Sequence, residues 1–247
     1  MDKKIRLLQV IPKLDTGGAE TGCIDVAKFI VAQNYYSAIL CSGGEQVKDI
    51  DQTKVKIFIF PVHSKNPLLI LFNIFVILFI IFFHKINIIH VRSRAPAWSC
   101  YFASKLSNVY LISTFHGTYN FNNFFKKFYN SIMLRGNAVI AGSKFIFDHV
   151  KKNYNIFKQL FIVPRGIDIG YFDPKNLNIE ATDKVRNRWN IPVNNFLILL
   201  PGRLTSWKGQ MFFLKTLLFL KQENLLQNIN AVILGHDQGR LQYKESL

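Results

Sequence analysis

"FLILLPGRLTSWKGQ", residues 196–210, is an apolar run closed by a proline–glycine turn and followed by two cations, Arg203 and Lys208, five positions apart. The run is continuous rather than alternating, as expected of a strand buried on both faces of a parallel sheet. The residues from about Ser206 to Glu223 read as a helix. "INAVILGHDQGR" (229–240) then supplies another strand ending in a turn bracketed by Gly235 and Gly239. Strand, glycine turn, helix and strand make the β-α-β unit from which helix-covered parallel sheets are wound.

The same grammar runs through the preceding residues. Strands are expected at 5–11, 36–42, 54–62, 86–93, 109–117, 137–143 and 159–168. Helical segments lie between them, including 21–34 and the stretch containing "KFIFDHVKKNY". Residues 166–195 are polar and loop-rich, with Pro174 and Pro192 as breakers. The organisation expected is α/β. Residues 1–175 form a complete N-terminal Rossmann-like domain, 176–195 a linker, and 196–247 the first β-α-β part of a second Rossmann-like domain.

The chain has 247 residues, is 49% hydrophobic and contains 23 Phe, enough to bury a sizeable core. Its three cysteines, Cys23, Cys41 and Cys100, have no metal-ligand spacing, which fits a reducing cytoplasmic compartment. The formal charge is +16 and is spread over both halves of the chain. Such an excess suits a phosphate-rich partner, whether nucleotide or anionic membrane. Nucleic acid is not expected, because no basic–aromatic cluster is present.

Residues 67–83 are apolar except for Asn73. As a helix they span about 25 Å, short of a bilayer core of about 30 Å. A span would also put neighbouring strands on opposite sides of a membrane. A helix on the sheet whose outer face stays apolar is therefore expected, docked on a membrane surface or covered by a protein partner.

Four places can carry chemistry. In "IPKLDTGGAE" (11–20), Gly17 and Gly18 let backbone approach a ligand at the start of a helix. In "STFHG" (113–117), His116 stands at the carboxyl end of a strand, where open α/β sheets place ligands. Gly202, Arg203 and Lys208 suit a pyrophosphate, Arg by its fork and Lys as a point charge. "VILGHDQGR" (232–240) is a further strand-end turn. Asp49 and Asp51 have Asp-x-Asp spacing but sit in a polar loop, and no zinc-type cluster, phosphate-binding loop motif or nucleophile elbow is present.

Taken together, "VIPKLDTGGAE", "HVRSRAPAW", "FHGTYN", "AVIAGSKFI", "IVPRGIDIGYFDP", "PGRLTSWKGQ" and "VILGHDQGR" resemble the family 4 glycosyltransferases, which have the two-domain GT-B fold. The resemblance covers essentially the whole chain, and the pairing of "RGID…FDP" with "GRL…WKGQ" is its most specific part. It implies a hexosyltransferase that moves a sugar from a nucleotide-sugar donor, with retention, without a metal or other cofactor. Arg203, Lys208 and Gly202 would bind the donor pyrophosphate with Gly17 and Gly18, and His116 would be the catalytic residue near the transferred sugar. Arg92 and Arg94 are the candidates for an anionic acceptor, a glycan or lipid-linked molecule such as lipopolysaccharide. The expected location is the cytoplasm, peripheral on the inner face of the cytoplasmic membrane.

One departure is large. Family members carry two glutamates spaced E-x7-E that hold the donor sugar and ribose, and this sequence has no such pair. The expectation is a C-terminally truncated chain, weak or inactive alone. A second polypeptide would complete it, or it would serve only as a membrane-associated binding module.

Overall fold

The computed structural model describes residues 4–119, 123–154 and 159–247. Asn120, the last residue of "FHGTYN", lies outside them. The chain divides into two compact units, Met1–Gly166 and Ile167–Leu247.

The first unit contains β1 (Arg6–Val10), α1 (Gly18–Ala32), β2 (Tyr36–Cys41), β3 (Lys56–Ile59), α2 (Pro67–Phe83) and β4 (Ile88–Val91). It continues through α3 (Arg94–Ser107), β5 (Tyr110–Phe115), α4 (Phe124–Ser131), β6 (Ala138–Ala141), α5 (Lys144–Asn153) and β7 (Gln159–Ile162). The seven strands form one parallel sheet in the order β3-β2-β1-β4-β5-β6-β7. This is the Rossmann-like layout anticipated from the sequence. The strands are shorter than the apolar runs, because the residues after each strand turn out of the sheet. After β7, Pro164 has no N–H to give to a ladder. The order in which strands are added to the sheet reverses between β1 and β4, which stay parallel, and the crevice at that switch point is where open α/β sheets bind ligands.

The sheet buries both faces. Leu8, Val10, Ala38 and Leu40 join a core with α2, α3 and α5. Ile39 and Cys41 pack with Cys23, Ile24 and Ala27 of α1 on the other side. All three cysteines are free and buried. Burial pushes the Cys23 thiol up to about 12 and raises Cys41 and Cys100 as well.

Helix α2 starts and stops where the sequence indicated. Asn66 caps it by accepting from the Leu68 N–H at 2.9 Å, and Pro67 occupies the first turn. Its inner face buries Asn73, Ile74, Ile77, Ile80 and Ile81. Asn73 Nδ2 donates to the Pro61 carbonyl at 3.1 Å, and Ser99 Oγ of α3 donates to the Ile70 carbonyl at 2.9 Å. The outer face exposes Leu68, Leu71, Phe72, Phe75, Phe79, Phe82 and Phe83. Among the described residues no helix is long and apolar enough to cross a membrane.

The second unit holds α6 (Ile179–Arg188), β8 (Phe196–Pro201), α7 (Gln210–Gln222), β9 (Ile229–Leu234) and α8 (Leu241–Glu245). Strands β8 and β9 pair in parallel. Two details differ from the sequence reading. Residues 166–195 are not all loop: α6 is capped by Asn178, whose Oδ1 accepts from the Ala181 N–H at 3.0 Å. Arg186 Nη2 then folds the following loop back by donating to the Pro192 and Asn195 carbonyls at 2.6 and 2.7 Å. The helix expected from Ser206 is a 3₁₀ turn (Ser206–Lys208) and then α7, separated by Gly209 at φ +79°, a conformation that suits glycine. Strand β9 ends at Leu234, where the expected turn bracketed by Gly235 and Gly239 begins.

Truncating Ile77, fully buried under α2, to alanine should cost about 2–5 kcal/mol by urea unfolding. Phe75→Ala, on the outer face of the same helix, should stay within about 0.5 kcal/mol. Equal losses at both positions would mean that α2 is covered on both sides.

Candidate functional site

In the first unit several candidate side chains gather where β1 and β4 end. Gln9 is opposite His90 in the ladder, and Val10 opposite Val91. The next residue, Arg92, donates its own N–H to the Val10 carbonyl at 3.0 Å. Its side chain is only 7% exposed. Arg92 Nε and Nη2 both donate to Gln9 Oε1, at 2.9 and 2.6 Å, while Gln9 Nε2 donates to the Cys23 carbonyl of α1 at 2.7 Å. One glutamine thus fixes the guanidinium to β1 and to α1. Among the described residues, no ion pair joins Arg92 or Arg165 to a carboxylate. A buried cation without a counter-charge is costly, and it leaves this end of the sheet positive.

Gly17 and Gly18 stand at the start of α1, with no side-chain cap. A Cβ on Gly18 would collide with the Arg165 guanidinium, and one on Gly17 would meet the Glu20 carboxylate. Gly18 therefore lets Arg165 lie against the helix start. Arg165 Nη2 donates to His116 Nδ1 at 3.0 Å. A guanidinium has no acceptor, so Nδ1 carries the lone pair and Nε2 the proton. That Nε2 is buried and has no hydrogen-bond partner among the described residues. Burial, then the charges of Arg92 and Arg165, push the His116 imidazole down to about 4. Behind it, His90 Nε2 pairs with Thr114 Oγ1 at 2.7 Å. His90 is also held well below its usual value, by burial, Arg92 and His116.

Arg92 and Arg94 do not share a site. Arg94 Nη1 donates to Asn130 Oδ1 at 2.7 Å, and its guanidinium lies 4.2 Å from the Tyr119 ring centroid. It lines a surface groove of about 540 Å³ with Lys65, Asn123, Phe125, Lys126, Tyr129 and Asn130.

In the second unit, Gly202, Arg203 and Lys208 lie together past the ends of β8 and β9. The Gly202 N–H donates to the Leu234 carbonyl at 2.8 Å, and the Leu204 N–H to the His236 carbonyl at 3.2 Å. The Lys208 chain passes 3.7 Å from where a Gly202 Cβ would be, and a Cβ on Gly235 would strike the Gly202 carbonyl. Gln210, fully buried, braces the turn: its Nε2 donates to the Arg203 carbonyl at 2.9 Å, and its Oε1 accepts from Tyr243 Oη at 3.1 Å. Arg203 and Lys208 are exposed. Arg203 Nη1 reaches only Gln238 Oε1, at 3.4 Å, and among the described residues neither cation has an acidic partner. The result is two unpaired positive charges on a braced turn. Asp49 and Asp51 lie far along the chain in and after a 3₁₀ turn (Glu45–Asp49), with Asp51 bound to Thr53 and Lys54. Among the described residues no cluster of three or more His, Cys, Asp or Glu side chains is placed to hold a metal ion.

Sequence reasoning did not single out Gln9, Arg165 or Gln210. Gln9 had a signal, as the lone polar residue inside "LLQVI". Arg165 opens the "RGID" stretch, but nothing local pointed to its contact with His116, 49 positions away.

The sequence profile of Glycosyltransferase Family 4 matches residues 16–171. No curated protein sequence matches the chain. Among solved structures, a glycosyltransferase from Rickettsia africae ESF-5 is 36% identical over 95% of this chain and 69% of its own, with a TM-score of 0.78. Anabaena Alr3699/HepE, solved with UDP and glucose, is 17% identical over 98% of this chain and 64% of its own, with a TM-score of 0.78. WaaG, a glycosyltransferase involved in lipopolysaccharide biosynthesis, is 10% identical with a TM-score of 0.57. The last two share the fold. The chain spans about two thirds of the length of the first two, 69% and 64%.

The unfolded chain takes up the His116 proton near the ordinary value of 6.5, the folded chain only at about 4. The unfolded state therefore binds more protons between those values, and acidification through that window should reduce stability. Nitrogen-detected NMR should show the Nε2–H tautomer and a titration at about 4. Arg165→Ala should move that titration upward. A His116 titrating near 6.5 in the intact chain would contradict the described geometry.

Proposed function

The chain belongs to Glycosyltransferase Family 4, and from that premise we propose that it moves a hexosyl group from a nucleotide-sugar donor to a glycan or lipid-linked acceptor of the cell envelope. The observation that carries this is the turn holding Arg203 and Lys208. When the bond between the anomeric carbon and the β-phosphate oxygen breaks, negative charge builds on the departing nucleoside diphosphate. A guanidinium fork and a mobile ammonium, both unpaired and on a turn braced by Gln210, stabilise that charge as it develops. They take the role a divalent metal plays in other sugar transfers, so the reaction proposed is metal-independent. Retention at the anomeric carbon is part of the same proposal. The UDP and glucose found with Alr3699/HepE support a uridine nucleotide as the donor class to try first.

In the first unit, the bare start of α1 at Gly17 and Gly18 offers backbone N–H groups to an anionic group. His116 acts as a hydrogen-bond donor rather than a base, because its Nδ1 is occupied and its Nε2 carries the proton. Its buried Nε2–H, unpartnered among the described residues, is the donor proposed for a hydroxyl of the transferred sugar. Arg94 and its groove are the proposed contact for an anionic acceptor such as lipopolysaccharide or a related glycan. The place of work is the inner face of the cytoplasmic membrane.

Titration calorimetry of the whole chain with UDP, GDP and ADP tests the grip without requiring turnover. One of the three should bind without added metal and unchanged by a chelator. Arg203→Ala and Lys208→Ala should each weaken binding about tenfold or more, the loss of one charge-assisted contact. A double variant that binds as tightly as the parent would refute the assignment.

A further inference from the structure

Helix α2 has a solvent face dominated by five phenylalanines and two leucines, each 47% to 74% exposed. They recur three or four positions apart and form one stripe down the helix. The stripe is not isolated. Helix α3 packs beside α2 and exposes Phe102, which lies 6.4 Å from Trp98, itself 5.7 Å from Phe128 of α4. An aromatic surface thus crosses three helices on one side of the sheet.

The charge around it has one sign. From Gln52 to Phe147 the sequence holds eleven Lys and Arg and no Asp or Glu. This span contains all of α2, α3 and α4. Lys65 stands just ahead of α2, Lys85 just behind it, and Lys105 lies on α3. A soluble helix facing water would alternate charges of both signs on this face; here apolar rings are framed by cations alone.

We propose that this face docks on an anionic phospholipid bilayer, with the α2 phenylalanines seated among the acyl chains near the headgroups and the flanking lysines on lipid phosphates. The partner is argued from charge. A second copy of the chain would bring cations against cations, whereas an anionic leaflet complements them. The helix lies on the surface instead of crossing, because its inner face is packed on the sheet through Ile74, Ile77, Ile80 and Ile81. The surface stands on these residues alone; its purpose, bringing a lipid-linked acceptor to the first unit, rests on the glycosyltransferase reading.

Flotation of the whole chain with phosphatidylcholine vesicles, with and without phosphatidylglycerol, tests it. The chain should float with the anionic vesicles and not with the neutral ones, and raised salt should weaken binding. Phe75→Ser with Phe79→Ser should lower partitioning about a hundredfold, near tenfold for each ring withdrawn from the lipid. The same variant should keep its melting temperature and its nucleoside diphosphate affinity, which separates docking from folding. Folded parent chain that stays behind with anionic vesicles would overturn the proposal, as would a variant that floats like the parent. Self-association abolished by the same two substitutions, without vesicle binding, would overturn it in favour of a second copy. Flotation without any nucleoside diphosphate binding would leave the surface standing and remove the donor reading.

Discussion

The carboxyl end of the first unit's sheet is organised around a guanidinium that has been taken out of water without a carboxylate to meet it. Arg92 is held by one side-chain oxygen, Gln9 Oε1. A neutral amide offsets part of the desolvation cost but cancels none of the charge. Had an aspartate stood at Gln9, the pair would have been neutral and that end of the sheet would carry one positive charge fewer. With glutamine there, the positive potential persists, and its effects spread through the neighbours. His90 and His116 remain neutral first because they are buried and then because a further proton beside Arg92 is unfavourable. His116 is then free to accept from Arg165, and Gly18 has to stay bare so that Arg165 can reach it.

The two faces of that sheet answer different demands. On the α1 side the core is a small cluster, and the helix start is left bare near the crevice. On the other side α2, α3 and α5 build the larger core. Helix α2 spends its branched isoleucines inward and its phenylalanines outward. Ile suits tight packing on a sheet, since its shape is rigid. Phe presents a broad surface with few rotamers to freeze. The segregation of residue types on one helix, both of them apolar, shows two different surroundings rather than one greasy segment.

Much of this was legible in the sequence, for identifiable reasons. The bounds of α2 were readable because Asn66-Pro67 is a start signal and polar residues follow Phe83. The strands were readable as apolar runs, although their ends were not, because leaving a sheet depends on partners far along the chain. Helix α6 was missed since its apolar residues are few and its polar ones dominate the pattern. The site divides in the same way. Gly202, Arg203 and Lys208 are neighbours in sequence, and their shared turn could be inferred. Arg165 against His116, and Gln9 against Arg92, join residues 49 and 83 positions apart. Only the ladder order brings them together, and no local pattern encodes it. Arg92 and Arg94 show the opposite case, where closeness in sequence suggested one site and the start of α3 sends them to two.

The cysteines carry a consequence of their own. Cys23 and Cys41 sit in the α1-side cluster and Cys100 in the opposite core, and the second unit has none. Each thiol is shielded and held in its unreactive protonated form. A soluble alkylating reagent can reach them only when the layer that covers them opens. The chain therefore carries a built-in clock for the breathing of its first unit, with separate hands for the two faces of one sheet and no signal from the rest of the molecule.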